Sequence, residues 1–333
     1  MCTGIQLVSS DGAAIGARTL EFEQELGSQI IVVPAGTNYP AIARGSLPWT
    51  ATYGAVGANA YRLPLLVEGL NEKGLSAGAF YFPGYASYTP VSQAPEGKAL
   101  SPLEVVTWIL TTCATLDEVS AKLSSVPVAA FSIAGQGPPP LHYLVRDPQG
   151  RSIVIEYQNE GTITISQDQI GVFTNSPPFD WQSVNLTNYI NLSPKNVEES
   201  SVLRIGLTQT GQGSGLLGLP GDFTPPSRFV RAAFYAASAQ PGKTALETVK
   251  QAFHILNLFD IPVGTVQGSS GEDHTEWTSV SDMKNLVFYI RTHNNQQVRY
   301  VEVLPALKAV GGKVLHLSLA QEEQYLNLTP TAS

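Results

Sequence analysis

Met1-Cys2-Thr3-Gly4, followed by Gly16-Ala17-Arg18-Thr19-Leu20-Glu21-Phe22, is the stretch whose reading decides the fold. The initiator methionine is usually removed before a small second residue, which would leave Cys2 at the N-terminus. One residue would then carry a thiol and a free α-amine. An unperturbed α-amine titrates at about 7.7–8.0 and so accepts protons near neutral pH. A thiolate is the strongest common side-chain nucleophile. Between the two stretches, Ile5 to Val8 reads as a strand, Ser9-Ser10-Asp11-Gly12 as a turn and Ala13 to Thr19 as a returning strand. This hairpin brings residues 17–21 back beside Cys2. A guanidinium at Arg18 would then favour the thiolate, and a carboxylate at Glu21 would hold the amine. Taken alone, Arg18 and Glu21 read better as a surface ion pair, and Cys2 as a small apolar residue.

The composition sets outer limits. The chain has 333 residues, 43% hydrophobic and 14% charged, with a formal net charge of −8. That describes a globular chain with a sizeable core, and the acidic balance argues against nucleic-acid binding. No apolar run reaches the roughly 18 residues that a membrane helix needs. Residues 1–12 show no cationic start followed by an apolar stretch, so the chain as it stands reads as cytoplasmic. A signal segment removed earlier would make it periplasmic. Cys2 and Cys113 form no disulfide or zinc framework, and Cys113 falls in an apolar helical pattern.

Along the chain, Gln29 to Val33 reads as a buried strand, and Asn71-Glu72-Lys73-Gly74 as a turn into the aromatic strand Ala79-Phe80-Tyr81-Phe82. Ser101-Pro102-Leu103-Glu104 is a capping box that opens a helix over 102–114. Thr115-Leu116-Asp117-Glu118 opens another to about Leu123. Strands are expected over 127–133, 141–147, 151–157 and 162–166. A loop-rich middle, 176–227, precedes helices over 228–239 and 243–258. Phe288 to Arg291 and Val298 to Val303 read as a hairpin through Asn294-Asn295. With no repeat and no low-complexity linker, residues 1–333 read as a single α+β domain.

Other constellations are weaker. Gly74-Leu75-Ser76-Ala77-Gly78 is a literal G-x-S-x-G, but a nucleophile elbow needs a strand before its serine and a helix after it. Here a turn precedes and a strand follows. The glycine-rich segment 211–221 lacks the Lys-Ser/Thr ending of a phosphate loop. Glu272, Asp273, His274 and Glu276 read as a solvated acidic loop rather than a metal site. His142, His254, His293 and His316 are scattered. No metal or cofactor is expected.

Several segments together resemble the choloylglycine hydrolase family, N-terminal-nucleophile amidases that include bile-salt hydrolases and penicillin V acylases. They are Met1-Cys2-Thr3, Gly16 to Phe22, Asn71 to Leu75, Tyr81-Phe82-Pro83-Gly84, Thr174-Asn175-Ser176-Pro177 with Phe179-Asp180-Trp181-Gln182, Leu219 to Asp222 with Ser227 to Arg231, and Thr275-Glu276-Trp277-Thr278. The resemblance implies a four-layer αββα sandwich and a homotetramer. It implies that Cys2 is the nucleophile with its own α-amine as base, and that Arg18 is the cation beside it. Asn175 corresponds to a side-chain donor, Arg228 to a second arginine, and Tyr81 to the other oxyanion position through its backbone N–H. Position 21 is Glu where better-known members have Asp, and position 81 is Tyr where bile-salt hydrolases usually have Asn. The expectation is therefore a hydrolase of linear amides like the penicillin V and N-acyl homoserine lactone acylases of the Gram-negative branch. A conjugated bile acid hydrolase is the alternative, and an inactive acyl-amide-binding relative a remote one. Phe80 and Phe82, with Tyr85, are expected to wall the acyl pocket, a role weighed evenly against core packing.

Overall fold

The hairpin that frames Cys2 forms as read. In the computed structural model, which describes residues 1–133, 137–268 and 271–329, β1 (Cys2–Val8) pairs antiparallel with β2 (Ala14–Phe22). Cys2 lies opposite Leu20, and Gly4 opposite Arg18. The chain continues through β3 (Gln29–Val33), β4 (Asn38–Tyr39), β5 (Trp49–Thr50), β6 (Ala55–Asn59), β7 (Leu66–Asn71) and β8 (Ser76–Tyr81). Two helices follow, α1 (Val105–Thr112) and α2 (Leu116–Leu123), then β9 (Leu141–Arg146), β10 (Ser152–Gln158), β11 (Thr162–Asp168) and β12 (Val172–Phe173). After α3 (Phe179–Asn185) come the short β13 (Ser200–Val202) and β14 (Ile205–Leu207), and then α4 (Pro225–Ser238) and α5 (Ala245–Leu256). The chain closes with β15 (Val266–Gln267), β16 (Glu272–Asp282), β17 (Val287–Thr292), β18 (Asn295–Glu302), α6 (Val303–Ala309) and β19 (Leu315–Ser318).

Two large antiparallel sheets result. The first runs β12-β1-β2-β16-β17-β18 with β15 on β16, and the second β11-β10-β9-β8-β7-β6-β3-β19. Their facing sides pack together through an apolar core in which Phe80 of β8 lies against Gly4 of β1 and Arg18 of β2. Helices α4 and α5 cover the outer face of the first sheet. Helix α1 covers the second, joined in that outer core by Leu116, Val119 and Leu123 of α2. This is the four-layer αββα arrangement that the resemblance implied. Among the described residues, no helix is long and apolar enough to cross a membrane.

Three local expectations are corrected. The acidic cluster 272–276 is not a loop but the start of β16, an 11-residue strand between β2 and β17. Thr278, Ser279 and Ser281 are buried there, so two neighbouring ladders hold a strand that carries little apolar signal. Residues 127–133 form no strand, since Val128 and Ala129 make only isolated bridges to Leu100 and Thr89. Helix α1 begins at Val105 rather than 102. The Glu104 carboxylate does turn back to the Ser101 N–H (2.7 Å), but the Ser101 hydroxyl turns to the Phe131 carbonyl, so the box is half made. In the second, Thr115 Oγ1 accepts from the Glu118 N–H at 3.2 Å, and Glu118 Oε2 reaches back past the cap to the Ala114 N–H at 3.0 Å.

Candidate active site

The first contact follows from strand register. Arg18 sits two pairs beyond Cys2's partner Leu20, on the same face of the hairpin, and directly opposite it Gly4 has no side chain. A diagonal neighbour of this kind is within reach of a long side chain. Arg18 Nη2 donates to Cys2 Sγ at 2.7 Å, and Cys2 itself is 4% exposed. The guanidinium is held on all sides. Its Nη1 donates to the Ala79 carbonyl (2.6 Å) and lies 3.4 Å from Glu68 Oε2, and its Nε donates to the Thr19 carbonyl (3.2 Å). Its central carbon rests 4.0 Å from the Phe80 ring centroid. Room for the Glu68 carboxylate exists because residue 78 is glycine: a Cβ there would fall 1.9 Å from Glu68 Oε2. Burial pushes the Glu68 carboxyl above its ordinary range, against the pull of Arg18 and Arg146.

Asn175 follows β12 and joins three elements. Its Oδ1 accepts from the Cys2 N–H (2.8 Å) and from Arg228 Nη2 (2.7 Å), and its Nδ2 donates to the Tyr81 carbonyl (2.7 Å). Two donors on the oxygen fix which way the amide faces and leave the second Nδ2 hydrogen uncommitted. Arg228, on α4, is wholly buried and also donates to the carbonyls of Cys2 and Phe223 and to Thr3 Oγ1. Burial pulls its pKa down, opposed by Glu21 and Cys2.

Tyr81 closes β8. The Phe82 N–H donates to the Pro140 carbonyl, and the pairing of β8 with β7 stops at Gly78. Strand alternation therefore turns the N–H of Tyr81, like its carbonyl, off the free edge beside Asn175. Glu21 is 1% exposed. Its Oε1 accepts from Thr275 Oγ1 at 3.4 Å, and its Oε2 has no partner among the described residues. The amine of Met1 donates to the backbone carbonyl of Glu21 (2.6 Å), and the Glu21 N–H donates to the Met1 carbonyl (2.8 Å). While Met1 is present, the nitrogen of Cys2 is an amide.

Cys2 and Glu21 open into a cavity of about 310 Å3 whose walls include Leu20, Phe22, Leu26, Val67, Ile133 and Leu141. Tyr61 and Tyr81 add hydroxyls, and no Lys or Arg is among the lining residues. The three aromatic residues expected as its wall do not line it. Alternation along β8 turns Ala79 and Tyr81 toward the cavity, so Phe80 points the other way. Phe80 lies under Arg18 in the core, and Phe82 is buried against His142. Tyr85 stacks on Phe82 at 5.4 Å and is 43% exposed. Ser76 of the G-x-S-x-G stretch is wholly buried within β8. Its hydroxyl has no partner among the described residues, and a strand rather than a helix follows it, so the elbow geometry is not formed there. Glu68 and Glu156 were not read from the sequence and His142 only as one of four scattered histidines, although Glu68 stands alone as a charge in the apolar run Leu66-Val67-Glu68-Gly69-Leu70.

Comparison with known proteins agrees with this geometry. The chain is 33% identical over 314 residues to a bile salt hydrolase/transferase of Clostridium perfringens, covering 91% of this chain and 92% of that protein. It is 25% identical over 310 residues to a penicillin V acylase of Pectobacterium atrosepticum, covering 87% of this chain and 77% of that protein. This order runs against the expectation built on Tyr81. A solved structure of a mutant conjugated bile acid hydrolase from Clostridium perfringens superposes with a TM-score of 0.88 at 29% identity, covering 99% of this chain and all of that one. The fold is thus that of the N-terminal-nucleophile hydrolases. Residues 2–306 match the model for linear amide C-N hydrolases of the choloylglycine hydrolase family, starting at Cys2. The chain belongs to the choloylglycine hydrolase family and is a hydrolase of linear amide C–N bonds with an N-terminal cysteine.

Proposed function

We propose that the protein hydrolyses the amide bond of conjugated bile acids. The observation that carries this is the cavity that Cys2 helps to line: about 310 Å3, with a mostly apolar wall and no Lys or Arg among its described lining residues. That volume is at the lower end of the roughly 300–1,000 Å3 of small-molecule pockets. A rigid apolar acyl group enters it, while a charged amine portion stays toward solvent. The bile salt hydrolases among its relatives support the same substrate class.

In the chemistry proposed, removal of Met1 frees the α-amine, which takes the Cys2 thiol proton as sulfur attacks the amide carbonyl. Arg18 holds the thiolate. Asn175 Nδ2 and the Tyr81 N–H receive the oxyanion, and Glu21 faces the ammonium. The intermediate collapses, the α-ammonium returns its proton to the leaving nitrogen, and the free amine departs from a thioester. The α-amine then takes a proton from water as it attacks the thioester. The second tetrahedral intermediate releases the carboxylic acid and the thiol.

A second reading has one observation behind it. The Tyr81 ring meets Phe22 edge-on at 6.2 Å on the cavity wall, an aromatic surface suited to a phenoxyacetyl group or a flexible acyl chain. A panel of glycine- and taurine-conjugated bile acids, penicillin V and long-chain N-acyl homoserine lactones separates the two. Conjugated bile acids are expected to give the highest kcat/KM, by about tenfold or more. Preference for penicillin V or the lactones would replace the first reading with the second.

A homotetramer is also proposed. β13 and β14 form a two-stranded hairpin outside both sheets, with Val202 56%, Leu203 96% and Ile205 66% exposed. Such a hairpin is marginal alone, and its apolar side chains call for a partner surface. Sedimentation at the 35.6 kDa of one chain would remove this proposal.

A further inference from the structure

His142, on β9, is wholly buried, with its ring between Phe82 (centroids 4.1 Å apart, planes 9° apart) and Phe173 (4.2 Å). Both ring nitrogens face acceptors. Nε2 is 3.1 Å from the Thr174 carbonyl oxygen, and Nδ1 is 3.2 Å from Glu156 Oε1. A neutral imidazole has one N–H and serves one acceptor. The Thr174 carbonyl can only accept, and Glu156 Oε1 already accepts the Phe179 N–H at 3.1 Å. Two ring protons, an imidazolium against a carboxylate, satisfy both contacts at once. A net-neutral buried pair is also easier to hold than a lone buried carboxylate.

The two contacts pin the chain on either side of Asn175. Thr174 precedes it, and Phe179 is the first residue of α3. The same ring stacks on Phe82, the residue after Tyr81, so it ties together the segments that carry both oxyanion donors.

We propose that the protonated His142–Glu156 pair positions Asn175, fixing the Thr174 carbonyl and the Phe179 amide and with them the side chain that meets the oxyanion. This rests on the reading of Asn175 as an oxyanion donor. Burial pushes the His142 pKa below its ordinary value, while Glu156 and the Thr174 carbonyl pull it up. Arg18 is the other charge that bears on it and opposes the proton, and Phe82 and Phe173 carry no charge. The proton is thus present at low pH and lost as pH rises, and one contact then loses its hydrogen. kcat falls on that side by severalfold rather than to zero, because Arg228, Cys2 and Tyr81 still hold Asn175.

The test measures kcat and KM of the full chain on a conjugated bile acid from about pH 4.5 to 8.5, spanning the histidine range. His142→Phe keeps a ring in the stack and removes both polar contacts. It is expected to lower kcat about tenfold or more with KM within about twofold, as misplacement of a catalytic group does, and to abolish the alkaline fall. Glu156→Gln removes the charge that favours the imidazolium, so the fall moves to lower pH. Parental kcat and pH profile in His142→Phe would overturn the proposal, as would a rise in KM that accounts for the whole loss. If His142→Phe does not fold, an unchanged alkaline fall in Glu156→Gln overturns it instead. Asn175→Ala within a few-fold of the parent would sink the underlying reading. An impaired Asn175→Ala beside an unimpaired His142→Phe would sink this proposal alone.

Discussion

Cys2→Ala is expected to lower kcat by a factor on the order of 10^6, the loss typical when a catalytic nucleophile is deleted. Alanine is also small, so Met1 is still removed, and the variant keeps the α-amine and loses only the sulfur. The substitution therefore isolates the nucleophile from the base. Its structural cost is the loss of the Sγ acceptor for the buried Arg18 Nη2, about 1–3 kcal/mol, while Nη1 and Nε keep their partners. Ser76→Ala is the matched control. Its hydroxyl is buried without a partner, so deleting it leaves kcat unchanged and stability equal or slightly higher. Steady-state kinetics on both variants, with intact mass on each, checks the assignment. An inactive Ser76→Ala beside an active Cys2→Ala would reject it, and so would full activity in a preparation that retains Met1.

The second large effect is expected at Asn175. Asn175→Ala should lower kcat by about 10^2–10^3 with KM changed little, the usual cost of losing one preorganised oxyanion donor. It also leaves Arg228 Nη2 without its 2.7 Å acceptor in a buried site, which costs about 1–3 kcal/mol of stability. Asn175→Asp separates the two consequences. The carboxylate still accepts from Arg228 and from the nitrogen of Cys2, so that part of the stability stays, while its second oxygen now faces the Tyr81 carbonyl. The N–H donor is gone and a negative charge sits where another develops, so kcat falls at least as far as in the alanine variant. Kinetics with thermal unfolding on both variants is decisive. An aspartate variant with near-parental kcat would mean that Nδ2 does not serve the oxyanion.

Arg18, Glu21, Asn175 and Arg228 were legible in the sequence for two different reasons. The hairpin turn at Ser9–Gly12 sets a register, and register alone places Arg18 beside Cys2. Asn175 and Arg228 lie 173 and 226 residues from Cys2, and only resemblance to known sequences marked them. The even choice between pocket wall and core packing for Phe80 and Phe82 could not be decided from residue type. Along a strand, side chains alternate between faces, and the cavity side of β8 belongs to Ala79 and Tyr81. β16 escaped notice because a strand flanked on both sides can bury Ser and Thr, which removes the apolar alternation that announces a strand.

By itself, the sequence determined the cysteine proposed as nucleophile, the hairpin that frames it and the α+β alternation of the chain. These depend on interactions between near neighbours: turn chemistry, strand periodicity and the covalent fact that Cys2 follows Met1. Only the tertiary structure decided that Phe80 is a floor under Arg18, that Glu68 backs the same guanidinium through the gap at Gly78, and that His142 is gripped by two acceptors. Each of these depends on which faces of two sheets meet. No local pattern carries that information, because a buried charge and its partner lie on strands far apart in the chain.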